Sequence, residues 1–265
     1  MKKACYLLIL LALFTAGIFS SCKKDDQPDP SRPQITLSSD KFTGKSGQEL
    51  TVAVTVAAPN GIASFVITKG VNLVPDLSFG VNGILTVPGA TGNEFTYLFR
   101  YTLRPEEVDK LVGFNFRVVD SKGLAAEKDF TLNTTVSGQQ LLYSYRWNLK
   151  AKVWKTTPPA DDLKPCEQDD YYLFNRDGSM MFGYGASACT LDGLNVYTNW
   201  SLSADEKELS ITYHSLFNPA QVTVDKYQVV SLTRDKLVLS ITYDLTVFGL
   251  SDHELFEFTY EASPR

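Results

Sequence analysis

Residues 236–243 read KLVLSITY and residues 254–261 read ELFEFTYE, with apolar side chains at alternating positions. Because successive side chains of a β-strand point to opposite faces, this period of two predicts half-buried strands. With a similar run at 208–213, the face expected to point inward consists of Leu209, Ile211, Tyr213, Leu237, Leu239, Ile241, Tyr243, Phe256, Phe258 and Tyr260. The alternate positions, such as Ser210, Thr242 and Glu257, are expected to face water.

Residues 141–265 contain a series of such strands, separated by turn-forming residues. The predicted strands are Arg146–Trp154, Tyr171–Phe174, Met180–Tyr184, Tyr197–Leu202, Glu208–Tyr213, Gln221–Ser231, Lys236–Tyr243 and Glu254–Glu261. Eight sequential antiparallel strands with short connections predict an up-and-down barrel, because closure removes the exposed edges of an open sheet.

Several segments of this region resemble the lipocalin-like domains of Bacteroidota lipoproteins. These segments are Trp147, Cys166–Asp170 followed by Tyr172 and Phe174, the turn Asn175–Ser179, Cys189, Asn199–Leu202, Ala204–Leu209, Tyr227–Leu232 and Leu237–Leu239. The resemblance extends over most of residues 146–262 and implies a lipocalin-like barrel. It specifies no ligand, because members of the family share the barrel and differ in what they hold.

Residues 33–136 show the same period of two, for example at Val52, Val54 and Val56. About seven short strands in about a hundred residues predict a β-sandwich. The hairpin FRVVDSKGL at 116–124 resembles bacterial Ig-like domains. The sequence therefore predicts an all-β chain, with an Ig-like β-sandwich over 33–136, a linker at 137–140 and a lipocalin-like antiparallel β-barrel of about eight strands over 141–265.

The first residues predict export. Lys2 and Lys3 precede an apolar run at 6–14, and FSSC at 19–22 resembles the lipobox of bacterial lipoproteins. This predicts a signal peptide over 1–21, an acylated Cys22 and a flexible acidic tether over 22–32; the alternative is an ordinary secretory signal. The following KKDDQPDP resembles the surface-export signal of such lipoproteins, so the protein is expected on the outer membrane, lipid-anchored and facing outward. Alternatively, these acids only solvate the tether.

Charge and cysteine content restrict the possible partners and cofactors. Loss of residues 1–21 removes Lys2 and Lys3, which leaves 23 basic and 30 acidic residues and a net charge of −7. Without a basic stripe, no nucleic acid partner is expected. Cys166 and Cys189 then remain in an oxidising compartment, where a disulfide is the default. No metal site or cofactor is predicted, because neither histidine lies at ligand spacing from a cysteine.

No catalytic residue is predicted. Adjacent acids on a strand point to opposite faces, so neither Asp161 with Asp162 nor Asp169 with Asp170 is expected to flank one glycosidic bond. They are interpreted as solvated loop acids, and a carboxylate pair from separate strands stays an open alternative. The two histidines offer little choice of a general base, and no nucleophile elbow or phosphate-binding loop occurs. A hydrolase of an envelope polymer remains the least favoured hypothesis.

Binding is the favoured function, either of a small apolar molecule or of a glycan inside the barrel. The candidate barrel liners are Trp154, Tyr172, Phe174, Phe182, Trp200, Tyr213 and Tyr243. These rings either surround a cavity or fill the interior completely, and the sequence leaves both alternatives open. The second function is a scaffold with closed domains that docks another surface protein. The loop at 70–90, with Leu73 and Leu77, forms either an edge strand or a partner-facing patch.

Overall fold

A computed structural model describes residues 30–265, which are almost entirely β-structure. The predicted all-β fold class is confirmed. The predicted signal peptide, Cys22 and most of the acidic tether lie outside the described residues. Between residues 30 and 265, no helix is long and apolar enough to cross a membrane.

The first half of the described chain folds into two facing sheets. Its strands are β1 (Gln34–Leu37), β2 (Lys41–Lys45), β3 (Glu49–Ala57), β4 (Ile62–Val71), β5 (Val74–Pro75), β6 (Ile84–Thr86), β7 (Glu94–Thr102), β8 (Leu111–Asp120) and β9 (Ala125–Thr135). One sheet has the order β1-β3-β7, and the other has the order β2-β9-β8-β4-β5 with β6 paired to β4. Strand β2 runs parallel to β9, whereas the other pairs are antiparallel.

Alternate side chains of the two sheets form one core, as the period of two predicts. The ring of Phe99 packs edge-on against Phe114 and Phe116, with centroids 5.0 and 5.4 Å apart. This core also encloses a charged pair, because the buried ammonium of Lys69 contacts the buried carboxylate of Glu107. Glu107 lies in a 3₁₀ turn over Pro105–Glu107.

The second half begins with a short helix, α1 (Gly138–Ser144), and continues as a barrel. Its strands are β10 (Arg146–Trp154), β11 (Ala160–Asp161), β12 (Tyr171–Phe174), β13 (Met180–Gly183), β14 (Asn195–Leu202), β15 (Glu208–Ser215), β16 (Asn218–Leu232), β17 (Lys236–Tyr243) and β18 (Glu254–Ser263). The sheet order is β13-β12-β10-β18-β17-β16-β15-β14, with the short β11 attached to β10. Strands β10, β12 and β17 have the predicted bounds, and the other five predicted strands end within three residues of the observed limits.

The barrel is nearly closed. Its first and last strands pair along their length, from Arg146 opposite Ser263 to Trp154 opposite Phe256. The seam lies between β13 and β14, which form no continuous ladder and are joined by an isolated bridge between Ser179 and Asn199. There the backbone N–H of Trp200 donates to the Gly178 carbonyl at 2.9 Å. Sequential strands are therefore neighbours around the barrel, as an up-and-down topology requires.

The segment predicted as a linker is the start of α1. The Ser137 hydroxyl accepts a hydrogen bond from the Gln140 backbone N–H at 3.2 Å and caps the helix. Glu206, in the β14–β15 turn, accepts from the Gly138 N–H at 2.9 Å and pairs with Lys45 of the first half at 2.6 Å. The connection between the two halves is therefore held by specific contacts on both sides. The exact limits of the two domains stay a prediction.

The predicted disulfide between Cys166 and Cys189 is present, with Cα atoms 5.3 Å apart. Cys166 lies in a 3₁₀ turn over Pro165–Glu167, and Cys189 lies in the loop between β13 and β14. The bond therefore ties this loop to the segment that leads into β12, beside the open part of the seam.

Candidate ligand-binding pocket

The barrel interior is divided into a packed end and an open end. At the packed end, the largest fully buried side chains include Leu142 of α1, Trp147 and Phe174. The indole ring of Trp200 lies 5.2 Å from Phe174 and donates from Nε1 to the Asn175 carbonyl at 2.9 Å. Helix α1 and these rings leave no room for a ligand at this end.

The other end encloses a cavity of about 380 Å³. Its lining is dominated by six tyrosines, Tyr172, Tyr197, Tyr213, Tyr227, Tyr243 and Tyr260. Three phenylalanines, Phe182, Phe256 and Phe258, complete the aromatic wall. The charged lining consists of one cation, Lys152, and four carboxylates, Asp162, Glu167, Asp170 and Asp225. The volume is within the range of small-molecule pockets.

A β-bulge in β10 directs Lys152 inward. Leu149 is opposite Tyr260, but Ala151 is opposite the next partner, Thr259, so Lys150 is an extra residue in the strand. The insertion shifts the alternation by one position. Lys152 then lies opposite the inward-facing Phe258, instead of following the outward phase that an unbroken strand would give it.

Two carboxylates hold the Lys152 ammonium in the cavity wall. The Nζ atom lies 3.1 Å from Asp162 and 3.1 Å from Glu167. Burial lowers the pKa of Lys152, but the hydrogen bonds to these two carboxylates outweigh that effect and raise the pKa overall. The one cation of the described pocket lining is therefore already paired.

Asp170 is the most deeply buried acid of the pocket, with 5% of its surface exposed. Burial, and then repulsion from Asp192, Glu167 and Asp169, raises its pKa to about 7. Its Oδ1 atom is buried and has no hydrogen-bond partner among the described residues. The interpretation of Asp170 as a solvated loop acid is therefore wrong. Its backbone carbonyl accepts from the Leu149 N–H at 2.8 Å, which draws the residue into the barrel wall.

Asp225 occupies another part of the lining, on β16. The Tyr213 hydroxyl lies 3.4 Å from its Oδ1, and Tyr227 also donates towards this carboxylate. Burial nevertheless raises the pKa of Asp225. The hydroxyl of Tyr227 further interacts with Tyr172 and Tyr243, so polar groups form a continuous row through the aromatic lining.

The tyrosines of this row are neutral at ordinary pH. Burial raises the pKa of Tyr172, Tyr227 and Tyr260 well above the usual value. Each hydroxyl can therefore donate one hydrogen bond and accept others, while each ring offers an apolar face. The pocket combines flat apolar surfaces with fixed polar groups, which is the composition of a small-molecule site.

Residues 146–239 match the family model of lipocalin-like domains. The match starts at the first residue of β10 and ends within β17, so it includes most of the barrel wall. The predicted lipocalin-like domain is confirmed over this range. The pocket described above is the interior of that lipocalin-like domain.

Two solved structures show a remote likeness to the chain. The sporulation control protein Spo0M from Bacillus subtilis is 10% identical, with 74% of this chain and 89% of that chain covered and a TM-score of 0.29. A DUF4466 family protein from Parabacteroides merdae is 12% identical, with 87% and 98% covered and a TM-score of 0.31. Both likenesses are too remote to support a structural or functional conclusion. No curated protein matches the sequence.

The candidate liners predicted from the sequence separate into three groups. Tyr172, Phe182, Tyr213 and Tyr243 line the cavity of the lipocalin-like domain. Phe174 and Trp200 belong to the packed end. Trp154 stacks on Phe256 with centroids 5.7 Å apart, and its Nε1 donates to Glu254 at 2.8 Å. Trp154 therefore supports the wall from the rim.

Sequence reasoning did not assign Tyr197, Tyr227 and Tyr260 to the site, although each lies on a predicted strand. Tyr260 belongs to the inward face predicted from the period of two, so its position was available from the pattern. Tyr197 is followed by a bulge at Thr198, which breaks the alternation on β14. The acidic residues of the lining lie between β10 and β12 or on β16, where the alternating apolar residues Val222 and Val224 are exposed instead.

His214 and His253 do not line the cavity, and His253 is exposed beside Asp252. Between residues 30 and 265, no group of three or more His, Cys, Asp or Glu side chains could hold a metal ion. Asp162 and Glu167 hold the Lys152 ammonium in place. The remaining polar groups of the lining are suited to hydrogen bonds with a ligand.

A larger groove of about 600 Å³ lies on the first half of the chain, between β8, β9 and the loop that follows β4. Its polar side chains Asn115 and Asp129 are hydrogen-bonded to each other at 2.8 Å. The loop beside it exposes Leu73 and Leu77. Within this loop β5 and β6 are short edge strands, so the loop contains both the edge strand and the apolar surface that the sequence left as alternatives.

Proposed function

We propose that this protein is a non-catalytic binding protein that holds a small molecule in the open end of the lipocalin-like barrel. The observation that carries the proposal is the cavity itself, about 380 Å³ with six tyrosines in its lining. A barrel that served only as a scaffold would gain stability by filling this space with side chains. The lipocalin-like domain match supports a binding role.

The polar lining restricts the class of ligand. A wholly apolar molecule would cover Asp170 and Asp225 without offering them a hydrogen bond, and burial of unpaired polar groups is costly. Of the two classes expected from the sequence, an apolar molecule and a glycan, the pocket is better suited to one with hydrogen-bond donors and apolar faces. A sugar meets this description, because its ring stacks on tyrosine.

The cellular setting completes the proposal. The lipobox-like FSSC segment and the acidic run behind it support an outer-membrane lipoprotein anchored through Cys22 and facing outward. In this arrangement the two-sheet first half is an Ig-like spacer between the membrane and the barrel. Metabolic labelling with a fatty-acid analogue, followed by protease shaving of intact cells, tests both the anchor and the exposure, with Cys22→Ser as the control.

Binding is tested by screening lipids, oligosaccharides and amphiphilic small molecules against the purified protein by thermal shift and calorimetry. A matched pair of variants identifies the site. Asn195 is exposed at the rim of the cavity, whereas Ser201 is exposed on the same strand away from it. Any ligand of this pocket is expected to bind Ser201→Trp normally and to lose binding to Asn195→Trp. Equal binding to both variants would exclude the barrel pocket as the site.

The alternative of a scaffold that docks another surface protein stays a prediction. One observation favours it, because Leu73, Leu77 and Val81 are 87%, 71% and 78% exposed beside the groove. Exposed apolar side chains in one patch are typical of interaction surfaces. Cross-linking on intact cells tests this function, with Leu77→Asp expected to abolish a specific cross-linked product.

A further inference from the structure

Asp170 is a buried carboxylate with one oxygen left unpaired. Its exposed fraction is 5%, and Oδ1 has no hydrogen-bond partner among residues 30–265. Native proteins pair almost all buried polar atoms, because an unpaired one costs free energy. Asp170 belongs to the cavity lining, so the charge of its carboxyl group acts on any ligand held in the cavity.

The charges that face Asp170 are mainly negative. Glu167 and Asp169 come from the segment before β12, and Asp192 comes from the loop after β13. Lys152 of β10 is the cation that acts on Asp170, and it is already held by Asp162 and Glu167. The hydroxyl groups of Tyr184 and Tyr260 also lie within the electrostatic reach of Asp170, but they carry no positive charge. The described surroundings of Asp170 therefore lack a positive charge that is free to pair with it.

Aromatic rings surround the same space. The ring of Tyr172 lies 5.3 Å from that of Tyr260, and the ring of Tyr197 lies 5.3 Å from that of Tyr213. The faces of aromatic rings attract cations, most strongly where water is excluded. Asp225 adds a second carboxylate to the lining, beside Tyr213. Acids and aromatic faces thus favour the same sign of charge in a ligand.

We infer that the pocket binds an organic ammonium ion, whose charged group pairs with Asp170 and whose apolar body lies against the tyrosine rings. The inference rests on the proposed function and names the chemical class of its ligand. An organic cation agrees with the size of the cavity and with the lack of a metal-binding group among the described residues. A neutral sugar would leave the excess negative charge of the lining uncompensated.

Proton release is a signature of this mode of binding. The raised pKa of Asp170, about 7, means that part of the free protein carries a proton on this carboxyl at neutral pH. An ammonium ion binds the charged form, so it displaces that proton. Affinity for the cation is therefore expected to rise between pH 6 and pH 8 and to level off above the pKa.

Three probes with a similar body and different charge test the inference by calorimetry with the full-length protein. They are 2-phenylethylamine, a cation at neutral pH, 2-phenylethanol, which is neutral, and phenylacetate, an anion. We expect the amine to bind at least about tenfold more tightly than the alcohol, and the anion to bind most weakly. Heats of amine binding are expected to depend on the ionisation enthalpy of the buffer, because a proton is released.

Three variants locate the charge effect. Asp170→Asn and Asp225→Asn each remove a carboxylate from the pocket, whereas Asp235→Asn removes one from an exposed turn. We expect Asp170→Asn to lose about tenfold in amine affinity and all proton release, and Asp225→Asn to lose affinity with proton release retained. Asp235→Asn is expected to bind like the unaltered protein, and thermal unfolding verifies that all three are folded.

The outcomes separate the inference from the proposed function. If the alcohol binds as tightly as the amine, or if Asp170→Asn binds the amine unchanged, the ammonium inference is overturned and the binding function stands. If the amine, the alcohol and every ligand of the broader panel bind Asn195→Trp and Ser201→Trp equally, the ammonium inference and the proposed function are both overturned. If a neutral oligosaccharide binds more tightly than the amine, and Asn195→Trp loses this binding, the ligand is a glycan and the ammonium inference is overturned.

Discussion

The indole Nε1 of Trp147 donates a hydrogen bond to the carbonyl oxygen of Leu142 at 3.0 Å, and both side chains are fully buried. This bond joins helix α1 to the first barrel strand. The carbonyl belongs to the short helix, where late carbonyls lack intrahelical partners. Helix α1, which follows the two-sheet half, therefore closes one end of the barrel. The other end of the barrel stays open to a ligand.

Trp147→Phe is expected to lower the free energy of unfolding by about 2–4 kcal/mol, because it removes buried volume and leaves the Leu142 carbonyl unpaired. Urea denaturation followed by circular dichroism measures the loss. Trp154→Phe is the control, since Trp154 is half-buried at the rim and its partner Glu254 keeps other donors. A loss in Trp154→Phe as large as that in Trp147→Phe would contradict the assignment of the packed end.

Removal of the disulfide is expected to destabilise the barrel. The bond joins residues 23 positions apart, for which the chain-entropy model gives about 3 kcal/mol. The double variant Cys166→Ala, Cys189→Ala should therefore unfold at lower urea concentration. Reduction of the unaltered protein by dithiothreitol should produce a similar shift, and the double variant should not respond to the reductant. Free thiols in the native protein under oxidising conditions would disprove the pairing.

Much of the barrel could be predicted because its information is local. The alternation from Leu237 to Tyr243 fixed an inward face, and the structure buries Leu237, Leu239 and Ile241 on it. Turn residues such as Asp177 and Gly178 marked the hairpin, where Asp177 accepts from the Ser179 N–H at 2.9 Å. Pattern and turn chemistry therefore suffice for strand positions.

The pocket was less predictable because it depends on departures from the pattern. The bulge at Lys150 reverses the phase of β10, and nothing in the alternation around Lys152 announces it. Asp170 is buried through a backbone contact with Leu149. Phe174 and Trp200 pack in the same buried cluster as Leu142 of α1, instead of lining the cavity. Such features depend on contacts between distant residues, which one sequence does not display.

Lys69 and Glu107 form the buried charged pair of the two-sheet half. Replacing both residues is expected to lower the free energy of unfolding less than replacing Lys69 alone. Lys69 also contacts Asp76 at 2.8 Å, and the Tyr101 hydroxyl donates to Glu107 at 2.5 Å. Lys69→Met leaves Glu107 charged and buried, which is expected to cost about 3–5 kcal/mol. Adding Glu107→Gln removes the uncompensated charge, so the double variant should unfold at higher urea concentration than Lys69→Met alone. A double variant less stable than either single variant would show that the pair is not coupled in this way.

The raised pKa of Asp170 predicts how Asp170→Asn changes stability with pH. The carboxyl has a pKa of about 7 in the folded protein and an ordinary value near 3.8 in the unfolded chain. Below about pH 3 both states are protonated, and between about pH 4 and 7 the folded state binds more protons than the unfolded state. The unaltered protein therefore loses stability relative to Asp170→Asn as the pH rises through this window. The loss is at most about 1.4 kcal/mol per pH unit. Once the pH is above the folded-state pKa of about 7, the difference no longer changes.

Urea denaturation of both proteins at pH 4, 5.5, 7 and 8.5, without ligand, measures this difference. Asp170→Asn is expected to differ least from the unaltered protein at pH 4 and to exceed it most at pH 8.5, because asparagine places no charge in the pocket wall. Asp177→Asn serves as the contrast, since hydrogen bonds from Ser179 lower the pKa of the Asp177 carboxyl. That variant should be less stable than the unaltered protein above pH 4, with the deficit disappearing as the pH falls through the lowered pKa. A pH-independent difference for Asp170→Asn would mean that this carboxyl titrates normally and that its burial carries no charge penalty.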